Sequence, residues 1–114
     1  MIIEQVVNEY LQEALDMDAV YNEDPDGEKP PYVVIEKTGS GRENLINRST
    51  LAIKSYGSSL LEAITLNDMV KAAMDDIDSE ILQISDSSLD SDYDFSDTAK
   101  KRYRYQAVYN LIHY

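Results

Sequence analysis

From Tyr103 to Leu111 the chain alternates between two kinds of side chain. Tyr103, Tyr105, Ala107, Tyr109 and Leu111 fall on one face of an extended strand, with Arg102, Arg104, Gln106 and Asn110 on the other. A strand with one apolar and one polar face belongs to a sheet that is covered on one side only. The rest of the chain must therefore supply the cover. With 114 residues it has room for one domain, residues 1–114, and no second core.

The cover is readable as helical periodicity. Ile2, Ile3, Val6, Val7, Tyr10, Leu11, Ala14 and Leu15 recur at three- and four-residue spacing, which predicts an amphipathic helix ending near Asp16. Asp24-Pro25-Asp26-Gly27 and Pro30-Pro31 follow as loop chemistry, with a short extended piece at Ala19-Val20-Tyr21 only weakly indicated. Ser59 and Glu62 form a capping box that opens a second helix, whose buried stripe is Ala63, Leu66, Val70, Ala73 and Ile77. Asp75, Asp76 and Asp78 oppose the dipole at its end, so fraying is expected there.

Between the helices, Tyr32 to Lys37 reads as a strand, Gly39-Ser40-Gly41 opens a hairpin loop whose tip lies around Gly39 to Asn44, and Ser49 to Tyr56 reads as the return strand. Val33, Ile35, Leu51 and Ile53 then share one face. A third strand begins at Leu82 and Ile84 and resumes with Leu89, Ser91, Tyr93 and Phe95 on one face and Asp90, Asp92 and Asp94 on the other. The expected fold class is α+β in the order α-β-β-α-β-β, with two helices packed on one face of a mainly antiparallel four-stranded sheet. Matching apolar faces in the last hairpin sets Phe95 opposite Tyr103 and Tyr93 opposite Tyr105. It also pairs Asp94 with Arg104 and Asp97 with Lys101, around a Thr98-Ala99-Lys100 loop.

Charge narrows the function classes. The formal net charge is −12, and it is unevenly placed. Residues 1–28 and 75–99 carry nine acids each and no Lys or Arg, residues 29–74 are near neutral, and residues 100–114 hold four bases and no acid. Such a chain is a poor phosphate binder, since counterion release needs clustered cations. Lys100, Lys101, Arg102 and Arg104 are its one basic cluster. Cysteine is absent, which removes disulfides and thiolate chemistry and fits an intracellular or virion setting. The longest apolar run, Tyr32 to Ile35, is far short of the roughly 20 residues that cross a bilayer, and Met1-Ile2-Ile3-Glu4 does not read as a secretory leader.

Each motif that could carry chemistry has a plainer reading. Asp90-Ser91-Asp92-Tyr93-Asp94 matches the first ligand positions of an EF-hand loop, but Phe95 and Lys101 stand where Gly and Glu are needed. It reads as an acidic strand face, with no metal and no cofactor. Gly39-Ser40-Gly41-Arg42 resembles the start of a phosphate loop but leads into a strand and not a helix. His113, the lone histidine, reads as a surface residue, and no serine has a His/Asp arrangement to activate it. No catalytic residue is assigned, and the chain is not expected to be an enzyme. Nine tyrosines beside one Phe and no Trp predict a cross-strand aromatic ladder in the core, with a subunit interface as the functional alternative.

A family resemblance rests on three stretches: Tyr32-Val33-Val34-Ile35-Glu36-Lys37-Thr38-Gly39-Ser40-Gly41-Arg42-Glu43-Asn44, then Ala52-Ile53-Lys54-Ser55-Tyr56, then Ser91-Asp92-Tyr93-Asp94-Phe95 with Lys101 to Ala107. Together with the helix order, these resemble the tail terminator, or tail completion, proteins of tailed bacteriophages and prophages of Gram-positive bacteria. The resemblance implies a structural protein with no catalytic motif. It implies a homo-oligomeric ring, six-fold, that caps the tail tube and joins it to the head. Its partners would be the major tail protein and head–tail connector proteins, with DNA passing nearby unbound. The expected location is the host cytoplasm during assembly and then the virion head–tail junction. Arg42, Glu43, Asn44 and Arg48 are the candidate contacts to a neighbour or the tube, and Asp90, Asp92 and Asp94 the candidate acidic face. Two alternatives remain open: a neck or head-completion protein of the same phage class, and an acidic DNA mimic that inhibits a host protein.

Overall fold

The computed structural model describes residues 1–114. Helix α1 spans Ile3–Leu15, strand β1 Val20–Tyr21, β2 Tyr32–Glu43, β3 Ile46–Gly57, helix α2 Leu60–Asp75, the single turn α3 Ile77–Glu80, β4 Ile84–Asp94 and β5 Tyr103–His113. The fold is α+β, with three helices and a five-stranded sheet in the order β1-β2-β3-β5-β4. Only β1–β2 is parallel. The fifth strand is the weakly indicated piece at Val20-Tyr21. It survives as a two-residue edge because the Asn8 amide, buried on α1, donates to the Val20 carbonyl at 3.0 Å and to Asn22 Oδ1 at 3.1 Å.

The main core lies between the helices and one sheet face. Ile3, Val7, Leu11 and Leu15 from α1 and Leu66, Val70 and Met74 from α2 meet Val33, Ile35, Leu51, Ile53, Ala107, Tyr109 and Leu111 from the sheet. Each fully buried aliphatic side chain here stabilises by roughly 1.5–3 kcal/mol. The left-handed Asp16 ends α1, as the loop chemistry predicts. The capping box is half formed: the Glu62 N–H donates to Ser59 Oγ at 3.1 Å, but the Glu62 carboxylate turns to the Ser58 N–H and hydroxyl, both at 2.7 Å. Those two bonds hold its pKa below the usual carboxylate value. The acidic end of α2 is pinned where fraying was expected. The Tyr109 hydroxyl lies 2.9 Å from Asp75 Oδ1, and the buried Ile77 draws the chain into α3.

Two turns depart from the sequence expectation. Gly39-Ser40-Gly41 is not a loop, since β2 and β3 stay paired to Glu43↔Ile46 after a bulge at Thr38. The reversal falls on Asn44 and Leu45, with φ of 52° and 68°. Two left-handed residues in a two-residue hairpin are the geometry of a type I′ turn, whose second position favours glycine. Leucine there costs about 1–2 kcal/mol.

The last hairpin is one residue out of the expected register. Phe95 N donates to the Arg104 carbonyl, Asp94 pairs with Tyr105, and Asp97 bridges to Arg102. The loop therefore has four residues, Thr98 to Lys101. No glycine was available for the left-handed site of a three-residue loop, and in the longer loop Lys101 takes a φ of 52°. A bulge between Leu89 and Ser91 restores the expected pairing of Leu89 with Tyr109 further along. Tyr93 and Phe95 are consequently turned away from Tyr105, and the expected aromatic ladder across this hairpin does not form. The stacked pair is Tyr32 and Tyr56, at 4.5 Å and 17° on the sheet face away from the helices, with Tyr21 edge-on at 6.2 Å.

Gly57 is tight for a steric reason. A Cβ there would lie 2.5 Å from the Ala63 nitrogen and 2.8 Å from the Ser59 oxygen, backbone atoms of the helix start. Gly57→Ala should lower stability by about 1–3 kcal/mol, because the first turn of α2 must lift off β3. Urea unfolding checks it, and a change below about 0.5 kcal/mol would show that the helix gives way freely.

Candidate functional site

The β2–β3 tip gathers the four candidate contact residues. Arg42 pairs with Asn47, Gly41 with Arg48, and Glu43 with Ile46, so Arg42, Glu43, Asn44 and Arg48 surround one turn, all exposed. Sequence reasoning missed the apolar part of this tip. Leu45 is 73% exposed and Ile46 is 41% exposed. The available signal was the dipeptide Asn44-Leu45, a type I′ turn with leucine in the glycine position. Neither Arg42 nor Arg48 forms an ion pair, whereas Lys37, Lys54, Lys71 and Arg102 all do.

A cavity of about 460 Å³ lies where the tip meets the body, lined by Lys37, Ser40, Arg42, Arg48, Ser49 and His113 among others. His113 is not the surface residue expected from sequence. It is buried, with Nε2 2.8 Å from Ser49 Oγ, and burial pulls its pKa below the ordinary histidine value. His113 Nδ1 lies 3.4 Å from the Tyr114 main-chain oxygen, and no Asp or Glu side chain is among the hydrogen-bond partners of the Ser49–His113 pair.

The candidate acidic face is broken up. Asp90 sits at the bulge, and the parity change turns Asp92 toward α2. Asp92 Oδ2 accepts from Lys71 Nζ at 2.8 Å and Asn67 Nδ2 at 3.1 Å, while Lys71 also reaches Asp68 at 3.5 Å. The Lys71 hydrogen bond, its charge and the Asn67 bond lower the Asp92 pKa against the opposing effect of burial. Asp94 Oδ1 accepts from the Ser96 N–H at 2.9 Å. No group of three or more His, Cys, Asp or Glu side chains is placed to hold a metal ion.

The basic cluster is also divided, though not by the expected Asp94–Arg104 and Asp97–Lys101 pairs. Arg104 donates through Nε to the Phe95 carbonyl at 2.9 Å and lies 4.3 Å above the Phe95 ring. Arg102 reaches back to Asp24 at 2.7 Å and lies 4.8 Å over Tyr56, tying the acidic 22–31 loop to the outer sheet face. Only Lys100 and Lys101 stay uncommitted, at a hairpin tip. No helix is long and apolar enough to cross a membrane.

No protein-family model and no curated protein matches the chain.

Two outcomes follow from this placement. Asp92 has a lowered folded-state pKa, so its contribution is complete above the unfolded carboxylate value and fades as pH falls through the lower folded value. Asp92→Asn should therefore cost about 1–3 kcal/mol at pH 7, with the gap to the parent narrowing below about pH 4. Denaturant midpoints across pH check it, and a pH-independent gap would rule the ion pair out as its cause. Duplex DNA at physiological salt should give no gel shift, because the free cations that cluster are split between two hairpin tips, Lys100 with Lys101 and Arg42 with Arg48, and neither pair releases enough counterions to hold it. A salt-sensitive shift abolished by neutralising Lys100, Lys101, Arg102 and Arg104 would reverse that conclusion.

Proposed function

We propose that this chain is a structural subunit of a tailed-phage or prophage tail terminator, assembling head to tail into a six-fold ring that caps the tail tube and joins it to the head. The observation that carries the reading is the β2–β3 tip. On a chain of charge −12, the tip concentrates unpaired arginine and exposed leucine at the end of a hydrogen-bonded ladder. Apolar residues and arginine are what subunit contacts favour, and a patch this small without a matching copy of itself suits a heterologous interface.

The charge supports the same role. A lumen that DNA must cross should repel phosphate, and the two acid-rich segments supply that repulsion while Lys37, Lys54, Lys71 and Arg102 are neutralised within the subunit. The major tail protein and the connector would meet the two rims of the ring. A DNA mimic would instead present its acids as a continuous outward array, and Asp92 and Asp94 are engaged in local hydrogen bonds.

Light scattering over rising protein concentration tests the reading. A closed species of six 13.0-kDa chains is expected at the highest concentrations. Arg42→Glu should keep the thermal midpoint within a few degrees and abolish both that species and tail completion in assembling particles. Normal tails with the variant would remove the contact role from Arg42.

A further inference from the structure

The cleft between α1 and α3 is the chemical counterpart of the β2–β3 tip. It is a cavity of about 540 Å³ with Tyr10, Ala14 and Ile81 as its apolar surface and Glu13, Asp76 and Glu80 around them. None of these three acids forms an ion pair, and no cation lines the cleft. The Tyr10 hydroxyl records the local field. Its pKa is pushed up by burial and then by Asp76, Glu80 and Asp78. Across the molecule, Leu45 and Ile46 stand exposed between Arg42 and Arg48, outside both core clusters of their own chain.

We propose that the tip of one copy docks into this cleft on a second copy, with Leu45 against Tyr10, Ala14 and Ile81 and the arginines against Glu13, Asp76 and Glu80. The occupant is a second copy because both halves of the match, apolar to apolar and unpaired cation to unpaired acid, lie on one chain at different places. A contact of that kind is heterologous and passes from subunit to subunit. It explains the leucine at a turn position that favours glycine: the backbone strain is retained because the side chain is the anchor. The inference rests on the ring reading and adds the identity of the interface.

The cysteine-free chain makes the test clean. Leu45→Cys and Ala14→Cys variants, mixed and treated with a short bismaleimide, should give a two-chain product that neither variant gives alone. One molar salt should reduce its yield severalfold, as screening removes the charge attraction. Leu45→Gly should raise or preserve the melting temperature by relaxing the turn, yet weaken association at least tenfold. Cross-linking of Leu45→Cys to Met69→Cys in preference to Ala14→Cys would put the tip on the apolar face of α2 and overturn the assignment. So would a Leu45→Gly variant that associates like the parent. If the parent closes into a ring while these results fail, the ring stands and this interface falls. A parent that is monomeric at every concentration, with no cross-link, removes both.

Discussion

The β3–β5 ladder is the constraint on which the other elements depend. Its eleven pairs run from Asn47↔His113 to Gly57↔Tyr103 with no shift, whereas the β2–β3 and β4–β5 ladders each contain at least one. It sets Leu51 beside Tyr109 and Ile53 beside Ala107 on the face that α2 covers. The Tyr109 hydroxyl then reaches the Lys71 carbonyl and Asp75, so the same register that fills the core also locates the end of α2. At the other end Gly57 lets the start of α2 approach to backbone contact. A one-residue slip in this ladder would exchange Leu51, Ile53, Tyr109 and Leu111 for Thr50, Lys54, Gln106 and Asn110, which no core could absorb.

What was legible in the sequence follows from that hierarchy. Period-two alternation fixed the faces of β2, β3 and β5, and three- and four-residue spacing fixed α1 and α2, because each pattern reports a large one-sided burial. Bulges carry no such signature. The extra residues at Thr38 and Asp90 leave composition and average periodicity intact, yet the first shifts the β2–β3 pairing by one so that it closes on the two-residue turn Asn44-Leu45, and the second turns Asp92 under α2. The β1 strand was faint because two residues cannot show a period, and its support comes from the Asn8 side chain. The register near Phe95 followed loop chemistry: four residues ending in a left-handed Lys101 gave Arg104 a place over the Phe95 ring. For the candidate site, Arg42, Glu43, Asn44 and Arg48 were placed together by the hairpin, while the buried state of His113 and the Arg102–Asp24 pair arise from contacts 64 and 78 residues apart.

Charge and topology then act in one direction. Half of the ten cations are engaged within the subunit, Lys37 with Glu4, Lys54 with Glu36, Lys71 with Asp92, Arg102 with Asp24 and Arg104 over the Phe95 ring, so the attractive surface left over is small and local. The more exposed Lys54–Glu36 and Arg102–Asp24 pairs each add little stability, about 0–1 kcal/mol, less than the more enclosed Lys71–Asp92 pair, and the solvent surface stays predominantly negative. Like-charged faces repel, so an acidic body with a cationic, apolar projection favours a contact of projection on body over one of body on body. In the proposed assembly that contact is repeated by rotation, which would give either a closed ring or an open filament.

Electron microscopy of the associated protein, viewed along its symmetry axis, separates those outcomes most directly. The account predicts a closed six-fold ring around an open lumen, with the β2–β3 tip of each subunit lying over the helix layer of its neighbour. A two-fold dimer, with matching surfaces face to face, would contradict it.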